Sequence, residues 1–290
     1  MLRRLAIATN ISTAFLTLFD AEVHQAFQGE SVLAGTVRTR TEVGSSVVKF
    51  PKLASAQASE RTPGAEVTAV NATWSQASVT LKDWSASEYS DIFNQAKVNY
   101  DERSELAEML GKSIARRQDQ VILDAMLSAS AGSTVANTVV TSGSASASDL
   151  NVGKILEAGK KLSAKNVPMT DRHLVIHANS MASLLGDERA VSSDFIQLQG
   201  LSRGEISTFA GMKIHMIGDR DEGGLNIDGS SDRTCFAFHK SAVGLAMGMN
   251  PKTEINYVPN RTSWLVTSMF SANALVIDTD GLCDVTCRES

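Results

Sequence analysis

A long amphipathic helix over residues 101–128 is the strongest constraint that this sequence places on its fold. One apolar stripe recurs at steps of four, four, seven and four residues, and it consists of Leu106, Leu110, Ile114, Val121 and Ala125. Asp101 is the predicted N-cap, and acidic residues crowd the first turns. At about 1.5 Å per residue, such a helix extends about 40 Å. Most globular helices are shorter, so we expect an elongated molecule.

The segment before this helix, residues 31–84, has an extended pattern. Residues 36–43 and 46–50 are rich in β-branched side chains, and residues 76–83 alternate between apolar and polar. The long connection at 51–74 contains the turn signal Thr-Pro-Gly. Because such a hairpin has few large apolar residues, we expect that it packs no core of its own and projects towards a partner.

The remainder of the chain predicts an α/β unit followed by a return to β structure. Helices are predicted at 149–164 and 180–186, and strands at 173–178, 211–217, 234–239 and 252–258. Residues 263–277 suit a strand or a helix, and the tail from residue 278 onwards is polar.

Two short helices and two joints complete the prediction. Residues 14–27 have the spacing of an amphipathic helix. The capping box at 85–88 predicts the start of a helix that carries Tyr89, Ile92 and Phe93. The Gly- and Ser-rich segments 128–148 and 219–232 are predicted loops at which the molecule flexes.

Composition excludes several broad functions. The 290 residues carry 27 Lys and Arg against 32 Asp and Glu, and a net charge of −5 does not suit bulk nucleic-acid binding. No stretch of about 18 apolar residues is present, so we expect no membrane span and no membrane partner. The N-terminus lacks the cleavage site of a signal peptide. Three cysteines are too few for a disulfide scaffold, which favours a reducing, intracellular environment.

The histidines and cysteines do not have the spacing of metal ligands. His173 and His177 are four residues apart on a predicted strand, where a separation of roughly 13 Å excludes a shared ion. Cys283 and Cys287 have no histidine nearby, and we interpret them as part of a free tail. We therefore predict no metal and no cofactor.

Catalytic motifs are also lacking. The triplet His239-Lys240-Ser241 is local, whereas a catalytic triad requires a spatial arrangement of three groups. His24 and His215 have no acidic or nucleophilic neighbour in a recurring pattern. We predict that the protein is not an enzyme.

Five motifs carry a resemblance to a known family. They are FDAEVHQAF at 19–27, VKFPKL at 48–53, NYDERSE at 99–105, NVPxxDR at 166–172 and FHKSAVG at 238–244. The order of the elements resembles that of HK97-fold major capsid proteins of tailed phages. The motifs are similar to those of podophage capsid proteins of the autographivirus type and cover most of the chain in the right order. The chain is shorter than that group and lacks its longer insertions around the central domain.

The resemblance implies an α+β, HK97-like capsid fold with four parts. These are an N-terminal arm at 1–30, an extension loop at 31–84, an axial domain at 149–240, and a peripheral domain at 85–148 and 241–290 that includes the spine helix 101–128. In such proteins the arm and the loop contact neighbouring subunits. The implied inter-subunit contacts are Phe19, Val23, Phe27, Val48, Phe50, Leu53 and Trp74.

The implied function is that of a structural major capsid protein. Copies would assemble as pentamers and hexamers into the icosahedral head of the virion, after synthesis in the host cytoplasm. The head would enclose double-stranded DNA by weak, non-specific contact and hold a portal protein at one vertex. Arg116 and Arg117 are interpreted as a solvated helix face rather than as DNA contacts. Whether a decoration protein binds outside stays open.

Two features of some relatives are not expected here. No motif fixes a partner for a crosslink from Lys49 or Lys52, so we expect none. The arm motif begins about twenty residues after Met1, so we expect a separate scaffolding protein instead of a cleaved leading segment.

Three alternatives remain at this point. An encapsulin-type compartment protein would share the fold and enclose an enzyme. A cytosolic α+β hydrolase would be centred on 149–240, with His177 or His239 as the base. A tail-tube or decoration protein would not need so long a helix.

Overall fold

The computed structural model describes residues 28–41, 44–64, 66, 69–97, 101–129, 131–141, 145–186, 208–220 and 222–289. The helices are α1 (Ile92–Gln95), α2 (Glu102–Ser128), α3 (Val152–Ala164) and α4 (Ala178–Gly186). The strands are β1 (Arg38–Thr41), β2 (Val47–Leu53), β3 (Trp74–Thr80), β4 (Asp83–Asp91), β5 (Ser133–Val135), β6 (Arg172–His177), β7 (Thr208–Phe209), β8 (Met212–Ile217), β9 (Asp232–His239), β10 (Val243–Val258), β11 (Ser263–Val276) and β12 (Leu282–Arg288). The mixed helix and sheet content confirms the predicted α+β class.

A six-stranded sheet in the order β5-β12-β9-β6-β8-β7 forms the centre of the larger core. Every residue of β6 is buried, as expected for a strand that is covered on both faces. The predicted strands at 173–178, 211–217 and 234–239 are confirmed as β6, β8 and β9. The predicted helix at 149–164 is confirmed as α3, which begins after the N-cap Asn151.

The C-terminal strand β12 lies between β5 and β9 in this sheet. Its apolar residues Leu282, Cys283, Val285 and Cys287 are all buried. The interpretation of a polar free tail that holds Cys283 and Cys287 is therefore wrong. The apolar residues of 282–288 are buried because they pair with β9, and their local composition does not indicate this burial. Residues 282–288 thus share a sheet with strands from 149–240 rather than with the rest of 241–290.

A second, four-stranded sheet has the order β1-β10-β11-β4. Residues 263–277, which suited either structure, form the strand β11. The predicted helix start at 85–88 is wrong, because Ser85–Glu88 lie inside β4 and pair with β11. The helix α1 begins only at Ile92, where Asp91 accepts a hydrogen bond from the Phe93 amide. Strand pairing has overridden a local capping signal.

The long helix is confirmed as α2, whose 27 residues begin after the N-cap Asp101. It packs mainly on β11 and also on β4 and β10. Its buried residues include Leu110, Ile114 and Val121 of the predicted stripe. Glu108 and Lys112 form the ion pair that their spacing favours, at 2.7 Å.

A buried carboxylate on α2 holds the chain segment that precedes β1. Asp119 is fully buried and accepts hydrogen bonds from the Ser31 hydroxyl (2.8 Å) and from the amides of Val32 (2.9 Å) and Leu33 (3.1 Å). Arg220 approaches the same carboxylate at 3.4 Å. Burial raises the pKa of Asp119, while these hydrogen bonds and Arg220 act in the opposite direction. Asp119 thereby joins residues 31–33, α2 and the loop after β8.

We predict that Asp119→Ala lowers the free energy of unfolding by about 2–4 kcal/mol, because three donors and Arg220 lose a buried partner. Chemical denaturation of the free subunit measures the effect. Asp124→Ala is the matched control, since Asp124 is exposed on the same helix and contacts Gln120. Equal losses in the two variants would contradict the role of Asp119.

Among the described residues, no helix is both long and apolar enough to cross a membrane.

Candidate assembly surface

The strands β2 and β3 form a two-stranded antiparallel hairpin, which is the candidate surface for contact with another subunit. Its register runs from Val47 opposite Thr80 to Leu53 opposite Trp74. Because side chains alternate along a strand, Val48 and Phe50 lie on one face of the hairpin and Leu53 lies on the other.

The inner face of the hairpin packs on the chain's own body. Val48, Phe50 and Val79 form a buried cluster with Ala246, against which Leu81, Leu275 and Ile277 pack. A Cβ at Gly244 would lie only 3.0 Å from the Phe50 ring, so a glycine there lets the ring approach β10.

The hairpin packs no core of its own, because the small core at its base is shared with β10 and β11. One prediction about the hairpin is wrong: Val48 and Phe50 were expected to contact a neighbouring subunit, yet both are fully buried within the chain. These two side chains suffice to hold the hairpin against an existing sheet.

The outer face of the hairpin stays exposed. Trp74 is 70% exposed and Leu53, directly opposite it, is 49% exposed. An exposed pair of large apolar side chains at the end of a ladder is typical of an interaction site. Both residues belong to the predicted set of inter-subunit contacts.

Polar contacts fix the hairpin further. The Lys52 ammonium lies 2.8 Å from the Asp278 carboxylate. The Asn273 side-chain amide donates to the Thr80 carbonyl at 2.8 Å, and the Arg40 guanidinium donates to the Lys49 carbonyl at 2.6 Å. One of the two candidate crosslinking lysines, Lys52, thus has an acidic partner within its own chain.

The predicted arm contacts Phe19, Val23 and Phe27, together with His24, lie outside the described residues. The described part of the chain begins at Gln28, whose side-chain oxygen accepts a hydrogen bond from Arg116 at 2.8 Å.

The loop at 219–232 was expected to flex, but it is tied to α2. Arg117 contacts Glu222 at 2.5 Å, and the Gly223 amide donates to the Gln120 side chain at 2.7 Å. Arg117 also lies 4.6 Å from the centre of the Trp84 ring. Arg116 and Arg117 are thus half-buried residues that make contacts within the chain.

The histidines near the end of the larger sheet have structural partners. His177 is buried, with its two ring nitrogens 3.1 Å from Asp219 and 3.2 Å from Glu289. The Arg233 guanidinium binds both of these carboxylates. His239 contacts the Ser241 hydroxyl at 2.7 Å and caps the turn that follows β9.

The three thiols are buried and free. Burial raises the pKa of Cys283 to about 12, which keeps this thiol protonated and unreactive at neutral pH. In the described ranges, no group of three or more His, Cys, Asp or Glu side chains could hold a metal ion. No sequence pattern indicates one further contact, which joins His173 and His215 across 42 residues of the chain.

Comparison with solved structures gives the class of this fold. The capsid of the cyanophage P-SCSP1u matches with a TM-score of 0.74 at 18% identity, over 95% of this chain and 94% of that chain. The head of the Helicobacter pylori bacteriophage KHP40 matches with a TM-score of 0.75 at 11% identity, over 99% of both chains. The capsid of the native GTA particle matches with a TM-score of 0.68 at 12% identity, over 97% of this chain and 100% of that chain.

These similarities, together with the long helix and the two sheets, define an HK97-like capsid fold. A family model described as phage capsid protein matches residues 11–289. The chain therefore belongs to the phage capsid protein family, and it is a structural major capsid protein. No curated protein sequence matches it. Neither the encapsulin nor the hydrolase alternative is favoured by these findings.

We predict that Phe50→Ala loosens the base of the hairpin, because it removes the largest side chain of the small core. The free energy of unfolding should fall by about 3 kcal/mol, and hydrogen exchange in β2 should accelerate. Leu53→Ala is the control on the same strand, and in the free subunit it should cost less than about 0.5 kcal/mol. A similar loss in both variants would show that the inner face has no special role.

Proposed function

We propose that this capsid protein builds its shell by covering the outer face of the hairpin of each subunit with a neighbouring copy. The observation that supports this is the contrast between the two faces. The inner face is buried and held by polar contacts, so the hairpin is positioned before assembly. The outer face keeps Trp74 and Leu53 in solvent.

A weak contact stabilises a closed shell when every subunit repeats it. Burial of a large apolar side chain contributes about 1.5–3 kcal/mol, and aromatic residues are favoured at interface centres. A single such contact is too weak to hold two subunits, but every subunit of a closed shell would make it. Holding the hairpin in place lowers the ordering cost of each contact.

The wider assembly follows the family resemblance. Pentamers and hexamers would form a closed icosahedral head around double-stranded DNA, with a portal protein at one vertex. The arm at 1–30 and the extension loop at 31–84 would clasp neighbours, the part at 149–240 would meet its copies around the rings, and α2 would belong to the peripheral part. The protein would assemble in the host cytoplasm and act without catalysis.

The charge of the chain fits a container. A net charge of −5 provides no overall attraction to packed DNA, and screening over about 10 Å at moderate salt keeps any contact made by basic side chains local. Weak contact allows the genome to leave.

We predict that Trp74→Ala reduces the yield of closed particles at least tenfold without a loss of subunit stability, because its side chain is exposed in the free chain. Electron microscopy and sedimentation of co-expressed head proteins measure the yield. Gln76→Ala is the matched control, since Gln76 is exposed and lies on the same face of the same strand. Normal particles from Trp74→Ala would refute the role of the outer face.

We further predict that the chain expressed alone does not form uniform closed shells, because a separate scaffolding protein sets their curvature. Negative-stain images of the purified product decide the matter. Aberrant assemblies or free subunits are expected, and uniform shells without any helper would contradict the proposal.

A further inference from the structure

Two histidines on adjacent parallel strands of the six-stranded sheet contact each other. Nδ1 of His173 on β6 lies 2.9 Å from Nε2 of His215 on β8, and the ring centres are 5.1 Å apart. The register pairs His173 with Lys213 and Val175 with His215, so the two imidazoles are diagonal neighbours on one face of the sheet.

The surroundings of the pair disfavour positive charge. His173 is buried, and its ring stacks on Phe238 with 5.7 Å between the centres. The charged groups of the described residues that act on it are Lys213 on β8, Lys240 after β9 and Asp171 before β6. Two ammonium groups thus oppose one carboxylate, and that carboxylate lies 4.0 Å from Lys213.

The contact assigns the proton positions at neutral pH. One of the two facing nitrogens must carry a hydrogen and the other must accept it. Nε2 of His173 is buried and has no hydrogen-bond partner among the described residues. A proton there would be an unsatisfied buried donor, so the proton of His173 belongs on Nδ1 and is donated to Nε2 of His215.

We propose that His173 and His215 form an acid-sensitive clasp between β6 and β8. In the neutral pair, one N–H donates to one lone pair. If His215 takes up a proton, two N–H groups face each other across 2.9 Å. The contact then breaks or is kept only by moving the hydrogen of His173 to its buried Nε2, which has no partner among the described residues. If His173 takes up the proton, the charge lies on a buried ring beside Lys213 and Lys240.

The pKa shifts agree in direction with this geometry. Burial first, and then His215 and Lys213, lower the pKa of His173 to about 4. Burial and then Lys213 lower the pKa of His215. The folded pKa of each lies below the unfolded value near 6.5, so the unfolded chain binds more protons between these values. Stability supplied by the clasp is complete above pH 6.5 and is lost as the pH falls towards 4.

The part of the sheet that the clasp holds is its edge. Among the described strands, β8 and β7 are the only ones beyond β6, and β7 pairs with β8 alone. Protonation should therefore open β7 and β8 locally while β9 and β12 stay paired. The clasp does not depend on the proposed assembly, although an acid-loosened edge would weaken any ring contact made there.

Ring-nitrogen NMR of the full chain with 15N-labelled histidine tests the proton positions and the titration. At pH 7.5 we expect His173 with a hydrogen on Nδ1 and a bare Nε2, a midpoint near 4 for His173, and a midpoint below 6.5 for His215. A hydrogen on Nε2 of His173, or midpoints near 6.5 for both rings, would overturn the proposal.

Hydrogen exchange tests the opening. Relative to β11 and corrected for intrinsic rates, exchange in β8 should rise at least tenfold between pH 6.5 and 4.5. The double variant His173→Asn/His215→Gln keeps an amide donor and an amide acceptor but cannot titrate, so its β8 exchange should change less than twofold. His239→Asn should respond as the wild type does. An unchanged β8 in the wild type would refute the clasp, and the NMR titration decides should the double variant fail to fold.

Discussion

The buried carboxylate of Asp119 sets the relation between the parts of this molecule. It lies on α2 and binds the segment at 31–33 through three hydrogen bonds, while Arg220 reaches it from the loop after β8. Desolvation of a carboxylate is costly, so it is tolerated only where several donors converge. Helix, leading segment and loop must therefore take one arrangement together. Further contacts of Arg117 and Gly223 hold the same loop to the same helix.

A second constraint separates the face of the hairpin that the chain buries by itself from the face that it leaves exposed. The base of the hairpin is closed by Phe50 against β10 and β11. The outer end, with Leu53 and Trp74, is left exposed. The hairpin is thus held firmly at its base, and its exposed apolar side chains lie at its outer end. Under the proposed assembly, such a division would let one polypeptide present the same contact in pentamers and in hexamers.

Periodic patterns predicted much of this fold, and pairing decided the rest. The stripe of α2 and the short apolar runs of β6, β8 and β9 carry their own structure, because their side chains repeat at helix or strand spacing. The segment at 85–88 and the residues after 278 have no such repeat. They become strands only because they pair with strands far along the chain. The sequence motifs identify residues of the hairpin as candidate contacts, but they do not show which face of the hairpin each residue occupies, because that depends on the strand register. The contact between His173 and His215 could not be foreseen, because it links two strands whose adjacency is a property of the sheet.

The position of β12 has a consequence for the order of events in the cell. Among the described elements it is synthesised last, yet it belongs between β5 and β9 in the middle of the larger sheet. Until residues 282–288 have been synthesised, the edge of β9 that faces away from β6 has no partner strand. Cys235, Phe236 and Val135 then lack their neighbours on β12. A nascent chain therefore cannot present a finished surface to other copies. A product that ends before residue 282 would lack β12, and its β5 and β9 would lose the strand that joins them.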